Sequence, residues 1–236
     1  MQALTVGAAR VRAGSWKGRD DLAYLVPVSP AATLTTSALH RIRQQLRQGG
    51  FETIITGAVG PAERDRLRAA GFVEHESLHL LKRNLAALPP RPRRSAGIRR
   101  GTAKDRRQIP DLDETAFDDF WRMDTTGLNE ALRATPTSRM RVVRDPDLIA
   151  YSVVGRARTQ GYIQRLAVAP SHQRNGLGQS LVADTLHWLQ RQGVTTCWVN
   201  TQESNEQAFR FYTRLGFTPA DHQLVVMRRP TSDEVD

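Results

Sequence analysis

The 236-residue sequence predicts an α/β (α+β) fold: a mixed, mostly antiparallel sheet flanked by helices, preceded by a partial repeat of the same elements. Three observations predict it. Gln173-Arg174-Asn175-Gly176-Leu177-Gly178 stands between an apolar run ending at Pro170 and an amphipathic stretch over 179–192, which reads as strand, glycine loop and helix. Short alternating runs over 140–169 are broken by turn residues, as in antiparallel neighbours. Segments on either side of a proline- and arginine-rich joint also follow one order of elements.

In the first half, the apolar run over 23–30 is a strand and Thr53-Ile54-Ile55-Thr56 another. The helix that follows stops at Gly71-Phe72, and a last strand ends in Lys82-Arg83. In the second half, Ile98-Arg99-Arg100 begins a strand, and 105–120 and 125–134 are helical by period. The runs 140–144 and 148–155 alternate around Asp145-Pro146-Asp147, a hairpin signal, and 162–169 is the next strand. After the loop and its helix come an apolar strand over 193–199 and a helix from Asn205. On that helix Ala208, Phe211, Tyr212 and Leu215 share one face. Ser204 or Asn205 caps it, Gly216 ends it, and the final strand closes in Arg228-Arg229.

The two halves thus share strand, helix, Gly, strand, helix, Gly-Phe, strand. The first copy is abbreviated. Its loop region, 31–37, has no glycine, its second helix has no tyrosine, and too few residues precede Ala23 for a strand and helix pair. The expected division is 1–86 as a non-catalytic half-domain, 87–96 as a linker, and 97–236 as the complete domain, holding every site residue.

Charge is unevenly placed. The net charge is +10, but Lys82 to Arg107 carries ten basic residues and one acid, so the remainder is close to neutral. The joint Leu88-Pro89-Pro90-Arg91-Pro92-Arg93-Arg94 reads as an extended, solvated linker. No aromatic residues interleave its basic ones, which disfavours nucleic acid as a partner. No apolar run approaches a membrane span and no signal-peptide pattern opens the chain, so a cytoplasmic protein without membrane contact is expected. The single cysteine, Cys197, lies in an apolar run and reads as a buried strand residue. His75 and His79 fall on one face of a strand, without a metal-binding context, so no metal is expected.

A glycine loop that opens a helix directs successive N–H groups at one point beside the positive end of the helix dipole, and so suits an anion such as a pyrophosphate. Gln173, Gly176 and Gly178 fit the pattern Arg/Gln-x-x-Gly-x-Gly/Ala. Asn205, Ala208, Tyr212 and Leu215-Gly216-Phe217 follow at the spacing of a second motif. With both motifs in this order, the chain over about 97–229 resembles the GNAT superfamily of N-acetyltransferases, in a tandem arrangement with an abbreviated first copy. The resemblance implies a GNAT-type sheet in which two parallel strands splay apart around the arm of acetyl-CoA. It implies acetyl transfer to a primary amine by direct attack. Backbone groups of Leu166, Ala167 and Val168 would hold the arm and the thioester. The amides of Gln173, Arg174, Asn175, Gly176, Leu177 and Gly178 would hold the pyrophosphate, aided by the Arg174 charge and the Ser180 hydroxyl. Asn205 would reach the arm, and Tyr212 would be the catalytic acid for the departing thiolate.

The general base stays open. Asn200 stands where some relatives place a glutamate; Glu203, the acids Asp118, Asp119 and Asp124, and a water are the alternatives. The acceptor is an amine on a small molecule or a protein, and a homodimer is one arrangement open to the chain. The other functional reading is a non-catalytic GNAT-like module that binds a partner or nucleic acid through the basic linker.

Overall fold

The computed structural model describes residues 1–89 and 97–232. The elements run β1 (Gln2–Val6), β2 (Ala9–Trp16), β3 (Arg19–Pro27), α1 (Thr36–Gln48), β4 (Thr53–Thr56), α2 (Pro61–Ala69) and β5 (Val73–Asn84). There follow β6 (Arg99–Arg100), α3 (Ala103–Ala116), α4 (Thr125–Arg133), β7 (Thr137–Asp145), β8 (Asp147–Ala157) and β9 (Gln160–Val168). The chain closes with α5 (Leu177–Arg191), β10 (Thr196–Gln202), α6 (Glu206–Arg214), β11 (Thr218–Pro219) and β12 (Leu224–Pro230). Contacts divide these into two compact units. The first is Met1–Leu80 with Asn200–Arg210 and the chain from Pro219 onward; the second is Leu81–Val199 with Phe211–Thr218.

In the first unit β1, β2 and β3 are successive antiparallel neighbours, and β3 runs parallel to β4. Strand β12 then pairs antiparallel with both β4 and β5. Helix α1 starts where the Thr35 side chain accepts the Ala38 N–H, and it buries Leu39, Ile42 and Leu46 at three- and four-residue steps. That stripe shares a core with Leu25, Ile54 and Met227.

The second unit orders its strands β10-β9-β8-β7-β6, with β9 and β10 parallel and the other pairs antiparallel. Helix α3 begins with a capping box: Thr102 and Asp105 each satisfy the other's backbone N–H. Alternation along β8 and β9 then feeds two cores. Tyr151, Val153 and Ala167 meet Ile109, Leu112 and Leu128 of α3 and α4, whereas Ala150, Leu166 and Val168 meet Leu181 of α5. Helices thereby flank both faces of a mostly antiparallel sheet, the arrangement the sequence predicts.

Three details differ from the linear reading. The contacts do not divide at the joint: the last strand, β12, lies in the first unit, while Leu81–Leu85 lie in the second. Helix α3 ends at Ala116 rather than near 120, because Phe117 is extended (φ −136°, ψ 154°) and the Asp118 carboxylate accepts the Trp121 N–H, a side-chain turn that competes with the helix. The third concerns the expected linker 87–96, of which residues 90–96 lie outside the described residues.

Candidate active site

The parallel pair β9 and β10 is joined only at its start. Gln160, Gly161 and Tyr162 face Thr196, Cys197 and Trp198, and beyond Tyr162 the two strands are no longer paired. On its other edge β9 stays paired with β8 as far as Val168, through a bulge at Gln164. The backbone groups between Ile163 and Val168 that face the β10 side therefore lack a ladder partner on β10. A buried backbone polar group needs a partner, and here a ligand can supply it.

The chain then makes a 3-10 turn over Pro170–His172, and the Gln173 side chain donates to the Val168 carbonyl (3.1 Å), which closes the loop onto the strand. Arg174 (φ +62°) and Gly176 (φ +78°) are both left-handed, and α5 begins at once after Gly176. No side chain caps α5, so the N–H groups of Leu177, Gly178 and Gln179 keep the orientation of a free helix N-terminus. Arg174, Asn175 and Gly176 are exposed beside them, and Ser180 sits half-buried in the first turn.

The two glycines serve different ends. A Cβ on Gly176 would meet nothing within 4 Å, so glycine is required there by its backbone angle alone. A Cβ on Gly178 would lie 3.3 Å from the Phe211 ring and 3.8 Å from Val168. Gly178 is thus where the loop, the end of β9 and α6 come together. The close neighbour of Gly178 is the protein's own Phe211.

Next to Phe211 on α6 is Tyr212, 6% exposed, its ring set edge-on to those of Phe211 and Phe217 at 5.1 and 5.5 Å. Burial first, and then the neighbouring Cys197, push the Tyr212 phenol well above its ordinary pKa, against a smaller opposing pull from Arg165. It holds its proton through the neutral range. Cys197 is fully buried, which drives its thiol up to about 12, so it is a packing residue rather than a nucleophile. Asn205 belongs to the first unit, where its Oδ1 accepts the Ala208 N–H (2.9 Å) and caps α6.

None of the candidate carboxylates has the setting of a general base. Asp119 is 95% exposed beside Arg122, Asp118 and Asp124 hold backbone N–H groups, and Glu203 is exposed with Gln223 near it. Among the described residues, no three His, Cys, Asp or Glu side chains gather as metal ligands, and no helix is long and apolar enough to cross a membrane.

The sequence reading missed a buried cluster beside the splayed strands. Asp113 of α3, with no exposure, accepts hydrogen bonds from Nε (2.8 Å) and Nη2 of Arg165 on β9, and also from the Tyr151 hydroxyl on β8. Burial works to lower the Arg165 pKa, but the hydrogen bonds and charge of Asp113 outweigh it and raise the net value; burial and the same carboxylate push Tyr151 up. One signal was available: an arginine inside the apolar run 162–169 must find a partner when that strand is buried.

Comparison with known proteins fits this geometry. Residues 105–217 match the acetyltransferase (GNAT) family. A tandem GNAT protein from the clavulanic acid biosynthesis pathway superposes with a TM-score of 0.69 at 16% identity, over 97% of this chain and 80% of that one. The chain has the GNAT fold. A GCN5-related N-acetyltransferase from Sphaerobacter thermophilus shares it, with a TM-score of 0.63 at 19% identity over 97% and 78% of the two chains. Among curated relatives, the [ribosomal protein bS18]-alanine N-acetyltransferase of Escherichia coli K12 is 29% identical over 80 residues, which are 34% of this chain and 54% of that enzyme. The chain therefore spans about half the length of that relative. The family match falls on the stretch 105–217, and the structural neighbours share the fold of the whole chain.

Proposed function

We propose that this chain is a cytoplasmic N-acetyltransferase that moves the acetyl group of acetyl-CoA to a primary amine by direct attack, with Tyr212 as general acid. The observation that carries the reading is the conjunction of β9 and β10 parting after Tyr162 with an uncapped α5 at the end of the parting strand. The residues fit the cofactor on three counts: unladdered backbone along 163–168, a free helix N-terminus for an anion, and an open left-handed Gly176. When bound, acetyl-CoA supplies an acetyl thioester.

The protein's own groups have separable tasks. The backbone of Leu166, Ala167 and Val168 offers fixed hydrogen-bonding groups to the arm and to the developing negative charge. The amides from Gln173 to Gly178 would receive the pyrophosphate, with the Arg174 guanidinium and the Ser180 hydroxyl beside them. Tyr212 keeps a proton at Oη, its ring set against Phe211 and Phe217, and would supply it to the departing thiolate. A water serves as the base for the amine, because Asp118 and Asp124 are engaged with backbone N–H groups and Asp119 and Glu203 stand exposed.

The first unit is read as an abbreviated, non-catalytic copy. Its parallel pair β3 and β4 stays joined along all of β4, the Thr35 side chain caps the N-terminus of α1, and Leu34 fills the loop position with no exposure. Neither a gap between β3 and β4 nor an uncapped N-terminus of α1 is left for a cofactor. For the second unit, an alanine N-terminus is the acceptor suggested by the curated relatives. Calorimetry with acetyl-CoA tests the reading, followed by release of CoA thiol with an alanine-initiated hexapeptide, a lysine peptide and spermidine. Submillimolar acetyl-CoA binding with turnover of one amine is expected. No binding leaves the non-catalytic module as the reading.

A further inference from the structure

Arg165 occupies the segment of β9 that has lost its β10 neighbour, and its side chain points to the α3 face while Leu166 and Val168 turn to α5. Its bonds do not end at Asp113. Arg165 Nη2 also donates to the Trp121 carbonyl (2.7 Å), and the Asp113 carboxylate accepts the Met123 N–H (2.5 Å). The Phe117 ring lies under the guanidinium at 3.5 Å. One ion pair thus holds the chain between α3 and α4 at three points: the first residue after α3, and Trp121 and Met123 just before α4. Asp113 receives four donors in all, close to the full capacity of a carboxylate.

A pair built only for stability would be unusual in this form. Buried ion pairs seldom outperform apolar residues of the same volume, but they do fix one geometry against its alternatives. Here the geometry fixed is that of the 117–124 loop against the unladdered strand, and the Arg165 charge is also felt at Tyr212.

We propose that Arg165 and Asp113 are a positioning pair for the acceptor amine: they hang the 117–124 loop on β9, so that the loop's aromatic and acidic face borders the strand edge where the acetyl group would lie. The proposal rests on the acetyl-transfer reading. Neither residue touches the reacting atoms. The chemistry that suits this border is a cationic amine, since Phe120, Trp121, Asp118 and Asp119 are carried on the loop.

The test uses the full chain and Arg165→Lys, which keeps the charge but lacks the fork needed to hold Asp113 and Trp121 together. Amide exchange over 117–124 should accelerate by about tenfold or more, and KM for the alanine-initiated hexapeptide or spermidine should rise by a similar factor. Acetyl-CoA affinity and kcat should stay within about threefold, the pattern of lost substrate binding rather than lost chemistry. If Arg165→Lys does not fold, Asp113→Asn combined with Arg165→Gln leaves no unpaired buried charge and takes the same measurements. Unchanged exchange over 117–124, or an unchanged KM for every amine that the wild type acetylates, overturns the proposal while leaving acetyl transfer intact. A wild type that binds no acetyl-CoA removes both.

Discussion

The guanidinium of Arg83 covers Gly216. A Cβ on Gly216, which ends α6 at φ +78°, would come within 2.8 Å of Arg83 Nη1; in the first unit a Cβ on Gly71, which ends α2 at φ +80°, would meet Arg229 Nη1 at the same distance. Each glycine stop is thus roofed by an arginine from a strand of the opposite half of the sequence, because β12 completes the first unit and Leu81–Leu85 complete the second. The segment 97–236 therefore contributes to both units, although every motif of the proposed site still falls within it. Removing residues 1–86 should leave a protein without a cooperative melting transition, since β12 would lose both β4 and β5. A cooperative melt with acetyl-CoA affinity equal to that of the full chain would overturn this. Gly216→Ala should cost about 1–2 kcal/mol from the left-handed backbone alone, read by denaturant unfolding.

The glycine loop allows a sharper contrast. Gly176→Glu sets a carboxylate in open space at the helix N-terminus and should abolish acetyl-CoA binding in calorimetry while the protein stays folded. Gly178→Ala should act through packing, since the added methyl presses on Phe211, so melting temperature should fall along with affinity. Gly176→Glu also carries about 1–2 kcal/mol of left-handed strain, so affinity separates the roles: unchanged acetyl-CoA binding in that variant would contradict them.

For Tyr212, removal of the hydroxyl in Tyr212→Phe should lower kcat by roughly a hundredfold or more, the scale of a positioned acid. Acetyl-CoA affinity should hardly change, because the ring and its contacts with Phe211 and Phe217 remain. With the phenol pKa raised, the wild-type acid stays protonated well past neutrality, and the Phe variant should lose the alkaline limb assigned to it. Wild-type kcat in the variant would take Tyr212 out of the mechanism.

Acid sensitivity should centre on Asp105. Hydrogen bonds from Arg99 and Thr102 hold its carboxyl well below its ordinary 3.8, against the opposing effect of burial. Such a group stabilises the fold fully above the unfolded value and loses that contribution as pH falls through the folded one. Asp105→Asn should therefore lower the melting temperature at pH 7, and the gap from wild type should narrow below about pH 4. A gap independent of pH down to 2 would mean that the carboxylate contributes only as a cap.

Whatever depends on neighbours along the chain was legible before the fold was known. The strand–loop–helix at 162–192, the Asn205 cap, the stops at Gly71 and Gly216, and the hairpin at Asp145-Pro146-Asp147 follow from turn angles, caps and periodicity over a few residues. Those same residues carry the motifs of the proposed site. Tertiary structure alone decided which strand each edge accepts, so β12 entered the first unit although the sequence reads it as the last strand of the second copy. It also decided the end of α3 and the partner of Arg165, since Asp113 lies 52 residues away in sequence. No local pattern encodes such a pairing. A buried arginine states only that a partner must exist, and the fold selects which carboxylate is brought within reach.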